Sequence, residues 1–325
     1  MKFRKNKPKS KKRKLLRKIF SLFFILFIIN QTVLLLYSKI DISNEEFINM
    51  LINNNNEYRV KRTINNIIKF ISKIDLTSPV SMLSMNVDYE AYPVGGKDIY
   101  DYEKLKKISR HIEDPNPVDI NNPRIYIYNS HQLEHYSRSG LEIYNITPNV
   151  LMASYILKER FHSLGIPTIV EDTNMAEFMR INNWRHADSY RASRILILDK
   201  KSKYDSIEYF IDIHRDSIRR ELTTTTINGK KYAQILFVVG LENPNYQENL
   251  RLANSLHKKL NEKYPTISKG ILRKQGPGVD GVYNQDISPR VMLVEVGGVE
   301  NVIEEVLNTV EAFALTFVEF MGEYE

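Results

Sequence analysis

Short apolar runs rich in β-branched and aromatic residues recur along the chain from residue 125 onward. They are Ile125-Tyr126-Ile127-Tyr128, Ile166-Pro167-Thr168-Ile169-Val170, Tyr209-Phe210-Ile211 and Val291-Met292-Leu293-Val294. Continuous runs of this length predict strands buried on both faces, over 124–129, 166–170, 208–213 and 290–295. Between them the pattern turns helical. Val150, Leu151, Ser154, Ile156, Leu157 and Phe161 fall on one face, predicting a helix over 147–163 with Thr147 as N-cap, Pro148 following it and Gly165 as stop. Further helices are expected at 188–200, 245–262 and 299–320, and Asn228-Gly229 predicts a hairpin turn within 221–239. Strands alternating with helices imply an α/β domain over 121–325: a mostly parallel sheet flanked by helices, with one hairpin inserted.

The N-terminal pattern differs. Ile19 to Tyr37 is almost unbroken Ile, Leu, Phe and Val. Nineteen residues at about 1.5 Å rise cover roughly the 30 Å hydrocarbon core, so residues 19–38 are expected to be a transmembrane anchor. The run is longer than a usual signal-peptide core, and no small-residue cleavage site follows it. Residues 39–120, with the run Asn53-Asn54-Asn55-Asn56 and scattered Pro and Gly, predict a partly ordered stalk. Within it, Ile64, Ile67, Ile68 and Ile71 repeat at helical spacing.

Charge changes the picture only at the N-terminus. The formal net charge is +7, yet eleven of the 46 Lys and Arg lie in residues 1–18, which hold no acid; the rest of the chain is net acidic. Such a tail before an apolar span is a topology signal that keeps residues 1–18 in the cytoplasm and the remaining domain outside the membrane. Nucleic-acid binding is not expected. The absence of cysteine excludes thiol catalysis, disulfides and Cys-ligated metals.

The candidate chemistry gathers just after the predicted strands. His131-Gln132-Leu133-Glu134 follows the first, Asp212-Ile213-His214-Arg215-Asp216 closes the third, and Glu295-Val296-Gly297-Gly298 closes the last. Open α/β sheets bind ligands outside the carboxyl ends of their strands. Two His and two Glu there suit a catalytic Zn2+ site, which takes three protein ligands and leaves one position open. His131 and His214 are the imidazole ligands, and Glu134 is the third, with Glu142 as the competing choice. Glu295 is the expected general base. Arg215 is expected to hold a substrate carboxylate or polarise a carbonyl. Asp212 or Asp216 is expected to accept the free ring N–H of one histidine. His111, His135, His162, His186 and His257 are read as ordinary hydrogen-bonded residues, and Trp184 as either a packing residue or a substrate platform. Gly276-Pro277-Gly278 lacks the Lys-Ser/Thr of a phosphate loop.

These residues stand in blocks that resemble the stage II sporulation protein P family of spore-forming Firmicutes. The blocks are Tyr128-Asn129-Ser130-His131-Gln132-Leu133-Glu134, Ser189-Tyr190-Arg191-Ala192-Ser193 and Asp212-Ile213-His214-Arg215-Asp216, then Val238-Val239-Gly240-Leu241-Glu242-Asn243-Pro244-Asn245, Gly281-Val282-Tyr283-Asn284-Gln285-Asp286 and Glu295-Val296-Gly297-Gly298. The resemblance covers roughly residues 124–320. It implies a zinc amidase fold and cleavage of peptidoglycan between N-acetylmuramic acid and the L-alanine of the stem peptide, with endopeptidase action also credited to the family. It further implies work in engulfment, between two membranes, beside stage II sporulation proteins D and M. Where the family often has Thr before the first His and Ser-Tyr after the Glu, this chain has Ser130 and His135-Tyr136. A non-enzymatic, membrane-tethered wall-binding scaffold is the contrasting expectation.

Overall fold

The computed structural model describes residues 20–21, 24–28, 43–53, 111–141 and 146–323. Two units are distinguished, Met1–Ile42 and Ser43–Glu325. In the first, residues 20–21 and 24–28 are helical with exposed side chains. Among the described residues no helix is long and apolar enough to cross a membrane. Most of the predicted anchor, the basic tail, stalk residues 54–110 and Glu142 lie outside the described residues.

The second unit is an α/β sandwich. In chain order it comprises α1 (Asn44–Asn53), β1 (Ile125–Tyr128), α2 (Val150–Ser163), β2 (Thr168–Val170), α3 (Met175–Ile181) and α4 (Ser189–Lys203). Then come β3 (Tyr209–Asp216), β4 (Thr224–Ile227), β5 (Lys230–Ala233), β6 (Ile235–Gly240), α5 (Tyr246–Lys263), β7 (Ser268–Lys274), β8 (Val291–Gly298) and α6 (Ile303–Glu323). Six strands form one sheet in the order β2-β1-β3-β8-β6-β7, and β4-β5 form a separate hairpin. All neighbours in the sheet run parallel except β6 and β8. The mostly parallel α/β expectation is met. The hairpin turn sits at Asn228-Gly229, where φ values of 51° and 78° give the left-handed backbone that such turns need.

Three differences from the sequence reading have physical causes. The 147–163 helix starts at Val150, because Asn149, not Thr147, accepts the backbone N–H of Met152 as N-cap. Residues 235–240 are not part of the hairpin but a central strand, and β7 beside them is an unpredicted edge strand. Its exposed Lys269 and Arg273, with Lys274 half-buried, mask a β pattern while protecting the edge. Finally, β3 and β8 continue past their apolar runs to Asp216 and Gly298, so His214 and Glu295 lie within strands and not beyond them.

Side-chain alternation assigns the faces. Tyr209 stacks edge-on against Phe317 of α6, which also meets Phe161 of α2, so the odd-numbered side of β3 faces the helices α2 and α6. On the other face, Tyr126, Tyr128, Phe210 and Val291 pack with Ile197 of α4. Helix α2 is buried almost all round from Val150 to Lys158, since α1 and α6 also lie against it. Within the stretch expected to be stalk, Phe47 and Ile48 of α1 are buried. Residues 111–116 are strapped to α2, where Lys158 Nζ donates to Asp114 and to the Asn116 carbonyl (2.8 Å).

Gly240, at the end of β6, has no room for a side chain: a Cβ there would lie 2.2 Å from the Gly281 carbonyl oxygen. The same glycine donates its N–H to Gln285 Oε1 (2.9 Å), and Gln285 Nε2 donates back to the Val238 carbonyl (2.7 Å). Gly240→Ala is therefore expected to cost about 1–3 kcal/mol, seen as a lowered Tm by circular dichroism; an unchanged Tm would contradict the tight contact.

Candidate active site

The chain leaves β1 into a tight turn closed by Glu134 N–H donating to the His131 carbonyl (3.0 Å). The turn brings His131 Nδ1 to 3.4 Å from Glu134 Oε1. From β3, His214 Nδ1 reaches 3.5 Å from Glu134 Oε2. Ligand-capable atoms of His131, Glu134 and His214 all lie within 4.8 Å of one another. Adjacent ligand atoms on tetrahedral zinc, with bonds of about 2.0–2.1 Å, stand roughly 3.4 Å apart, so the donor set and its spacing fit that ion.

Glu295 stands on β8 in register with His214, and in-register neighbours share a sheet face. Its Oε2 is buried without a hydrogen-bond partner among the described residues. Burial, helped by the charge of Glu134, pushes its carboxyl up to about 8. Glu134 goes the other way. Burial would raise it, but hydrogen bonding to His131 and His214 outweighs this and holds it well below the usual carboxylate range. Burial would likewise lower His214, yet the carboxylates of Asp212 and Glu134 hold it well above the usual imidazole range.

Asp212 joins the two halves of the site. Two residues before His214 and so on the same face, it is fully buried, with Oδ1 3.0 Å from His214 Nε2. That is an ion-pair distance at an angle short of a good hydrogen bond. The same carboxylate accepts the Ser130 N–H (2.9 Å) and hydroxyl (2.7 Å), tying the His131 turn to the His214 strand. Behind it, Ser130 and Ser193 hydroxyls meet at 2.8 Å, and Asn284 Nδ2 donates to Ser193 Oγ (3.0 Å) and the Tyr190 carbonyl (3.1 Å). Asn284 adopts φ 58° to do so. Arg194 grips Asp286 with two 2.8 Å bonds. Tyr190 is thereby held with its ring stacked 6.3 Å from His214 and tilted 5.4 Å from His131.

Arg215 has a buried Nη2 without a hydrogen-bond partner among the described residues, and its charge favours the ionised forms of both Glu134 and Glu295. Next to His214 on a strand, it belongs to the opposite face. It is buried, its Nε donates to the His135 carbonyl (3.1 Å), and its backbone N–H donates to Glu134 Oε2 (3.0 Å). This geometry braces the ligand turn from behind. Of the two candidate partners for a ring nitrogen, Asp212 is beside His214, whereas Asp216 Oδ1 accepts the Ile218 N–H (3.3 Å). His135 is not part of the donor group among the described residues. Trp184 packs edge-on against Phe178 and under the Arg191 guanidinium, as a packing residue.

His186 is the residue the sequence reading passed over. Its ring stacks on His131 at 4.5 Å and 27°, and burial together with His131 lowers it to about 4, so it is a neutral imidazole near pH 7. The only local hint was its place three residues before the Ser189–Ser193 block, whose Tyr190 enters the site.

The sequence profile described as Stage II sporulation protein P matches residues 44–318. This chain belongs to the stage II sporulation protein P family. Stage II sporulation protein P of Bacillus subtilis (strain 168) is 36% identical over 207 residues, covering 62% of this chain and 52% of that protein. The chain thus spans about half the length of this curated relative. Among solved structures, an N-acetylmuramoyl-L-alanine amidase from Clostridium difficile 630 overlays with a TM-score of 0.37 and 15% identity, over 62% of this chain and 97% of that one. An N-acetylmuramyl-L-alanine amidase from Mycobacterium smegmatis gives 0.34 and 12%, over 63% and 100%. In this family member, five of the six blocks named above meet around one carboxylate-linked histidine pair; the other, Val238–Asn245, supports them through Gly240.

If Asp212 orients His214 for a metal, Asp212→Asn should weaken Zn2+ affinity by about 10–100-fold in a chelator-competition titration, while His214→Ala abolishes binding. Equal affinity of Asp212→Asn and the unaltered protein would remove Asp212 from that role.

Proposed function

We propose that this chain is a zinc-dependent peptidoglycan hydrolase that cuts the amide between N-acetylmuramic acid and the stem-peptide L-alanine during sporulation and engulfment. The observation that carries the reading is the convergence of His131, Glu134 and His214 next to Glu295, whose carboxyl, lifted to about 8, exchanges its proton near neutrality. Family membership supports the sporulation setting. A zinc ion held by the three donors would supply Lewis acidity, polarising the scissile carbonyl and acidifying a water molecule. The remaining work falls to the chain itself. Glu295, with its unpaired Oε2, takes a proton from the attacking water and delivers it to the departing nitrogen. The water oxygen bonds to the carbonyl carbon, the C–N bond breaks, and the products are the lactyl carboxylate and a free L-alanine amine. A carboxyl lifted to about 8 is suited to exchanging a proton near neutrality. Asp212, Tyr190 and Arg215 keep the two histidines and Glu134 in place through the contacts above.

The proposal extends to the N-terminal region. Residues 19–38 anchor the protein in the membrane, residues 1–18 stay in the cytoplasm, and the catalytic domain works outside, with stage II sporulation proteins D and M as partners. These parts rest on the sequence pattern and on the family resemblance.

Purified full chain is to be incubated with peptidoglycan sacculi, with and without chelator and restored Zn2+, and the soluble fragments identified by mass spectrometry. Stem peptides starting at L-alanine are expected; they should vanish on chelation and return with Zn2+. Fragments cut only inside the stem would replace the amidase with an endopeptidase. Sacculus binding without cleavage, even with stage II sporulation protein D added, would leave a scaffold. In the same assay Glu295→Gln is expected to slow release by about 10²–10⁴-fold while its zinc content stays normal; a rate within twofold of the unaltered protein would show that Glu295 is not the base.

A further inference from the structure

Beside the His131–Glu134 turn lies a cleft enclosing about 310 Å3, its open mouth included. Two of the metal-donor residues, His131 and Glu134, form one side. The rest of the lining is mostly apolar, from Leu133 and from Met175, Ala176 and Met179 of α3, all buried, with Ser130, Gln132 and His186 completing it. The room the cleft leaves for a bound group is only about that of one water molecule or methyl group.

The distance between the two sides is fixed by Gln132, which sits between donor and wall residues in sequence. Its Oε1 accepts the Met175 N–H (3.1 Å) at the start of α3, and its Nε2 donates to the Thr173 carbonyl (3.0 Å). Asn174 caps the same helix by accepting the Glu177 N–H (3.1 Å). The turn that presents the donors thus also clamps the helix that walls the cleft. A small, mostly apolar cleft held rigidly beside a reacting centre accepts an uncharged methyl. It rejects a charged group, which would lose water without gaining a partner, and a larger side chain, which would overpack it. The amide of muramoyl-L-alanine carries one methyl on each side, from the lactyl group and from alanine.

We propose that this cleft is the subsite for a methyl group flanking the scissile amide, and that Met175, Ala176 and Met179 exclude larger groups there. The inference rests on the amidase reading above.

The test uses the full chain with Zn2+ on two series of synthetic muramoyl peptides. One carries glycine, alanine or leucine as the first stem residue; the other has the lactyl methyl present or removed. The readout is the ratio of kcat/KM within each protein, which cancels any loss of folded enzyme. The unaltered protein is expected to prefer the methyl substrate over the bulkier one by more than about tenfold. Ala176→Leu, which fills the cleft, should shift preference to the methyl-free substrate in whichever series uses the cleft, and so name the methyl. Met179→Ala, which deepens it, should narrow the alanine-over-leucine preference several-fold if the alanine methyl is the occupant. Cleavage with ratios unmoved by either substitution in both series would overturn the subsite alone. Failure of the unaltered protein to cleave any muramoyl peptide would bring down the amidase reading, and the subsite with it.

Discussion

The Asp212 carboxylate is the constraint on which the site depends. It is fully buried, and a buried charge is tolerated only where it is paired and hydrogen-bonded. Here the partners are the Ser130 N–H and hydroxyl on one element and the His214 ring on another. Satisfying that one charge forces the loop after β1 and the end of β3 into a single arrangement. Once they are so joined, His131 and His214 stand with ring centroids 4.9 Å apart and Glu134 lies between them. The Ser193, Asn284 and Tyr190 contacts extend the same network into α4 and the 283–286 turn.

The sheet supplies the second constraint. Alternation puts Asp212 and His214 on the α4 face and sends Arg215 to the other, where it secures the ligand turn through the His135 carbonyl. Parallel register then sets Glu295 beside His214. Just beyond that pair the register slips, with Asp216 opposite Gly298. The slip uses Gly297 at φ 68°, where a Cβ would lie 2.7 Å from Asn301 Oδ1 and 2.8 Å from the Ala233 side chain. Asn301 Oδ1 also accepts the Gly298 N–H (2.7 Å) and the Thr223 hydroxyl (2.7 Å), so the kink is held from behind.

Two carboxyls in one buried site have been driven apart by their surroundings. Glu134 faces two imidazoles and stays ionised; Glu295 faces burial and the charge of Glu134 and keeps its proton more readily. Such a divergence is the usual physical basis for dividing ligand and proton-transfer roles between residues of the same type.

The sequence by itself determined the α/β class, the strands that carry the site and the hairpin turn, and it singled out His131, Glu134, His214 and Glu295, which the fold brings together. Apolar runs and Asn-Gly have local causes, and acidic and imidazole side chains just after such runs stand out against them. The N-cap at Asn149, the antiparallel β6 and the basic edge strand β7 were decided by pairing and packing across the fold, which leave little trace in local periodicity. Adjacency to His214 could not say which groups of Arg215 meet the site, because neighbours along a strand leave it on opposite faces and only the packed layers decide where a long side chain ends. His186 and the Met175, Ala176 and Met179 wall became visible only in three dimensions, because α3 is brought to the metal donors by Gln132 across some forty residues of chain. Local chemistry chose the reacting groups; long-range hydrogen bonds and sheet register chose what surrounds them.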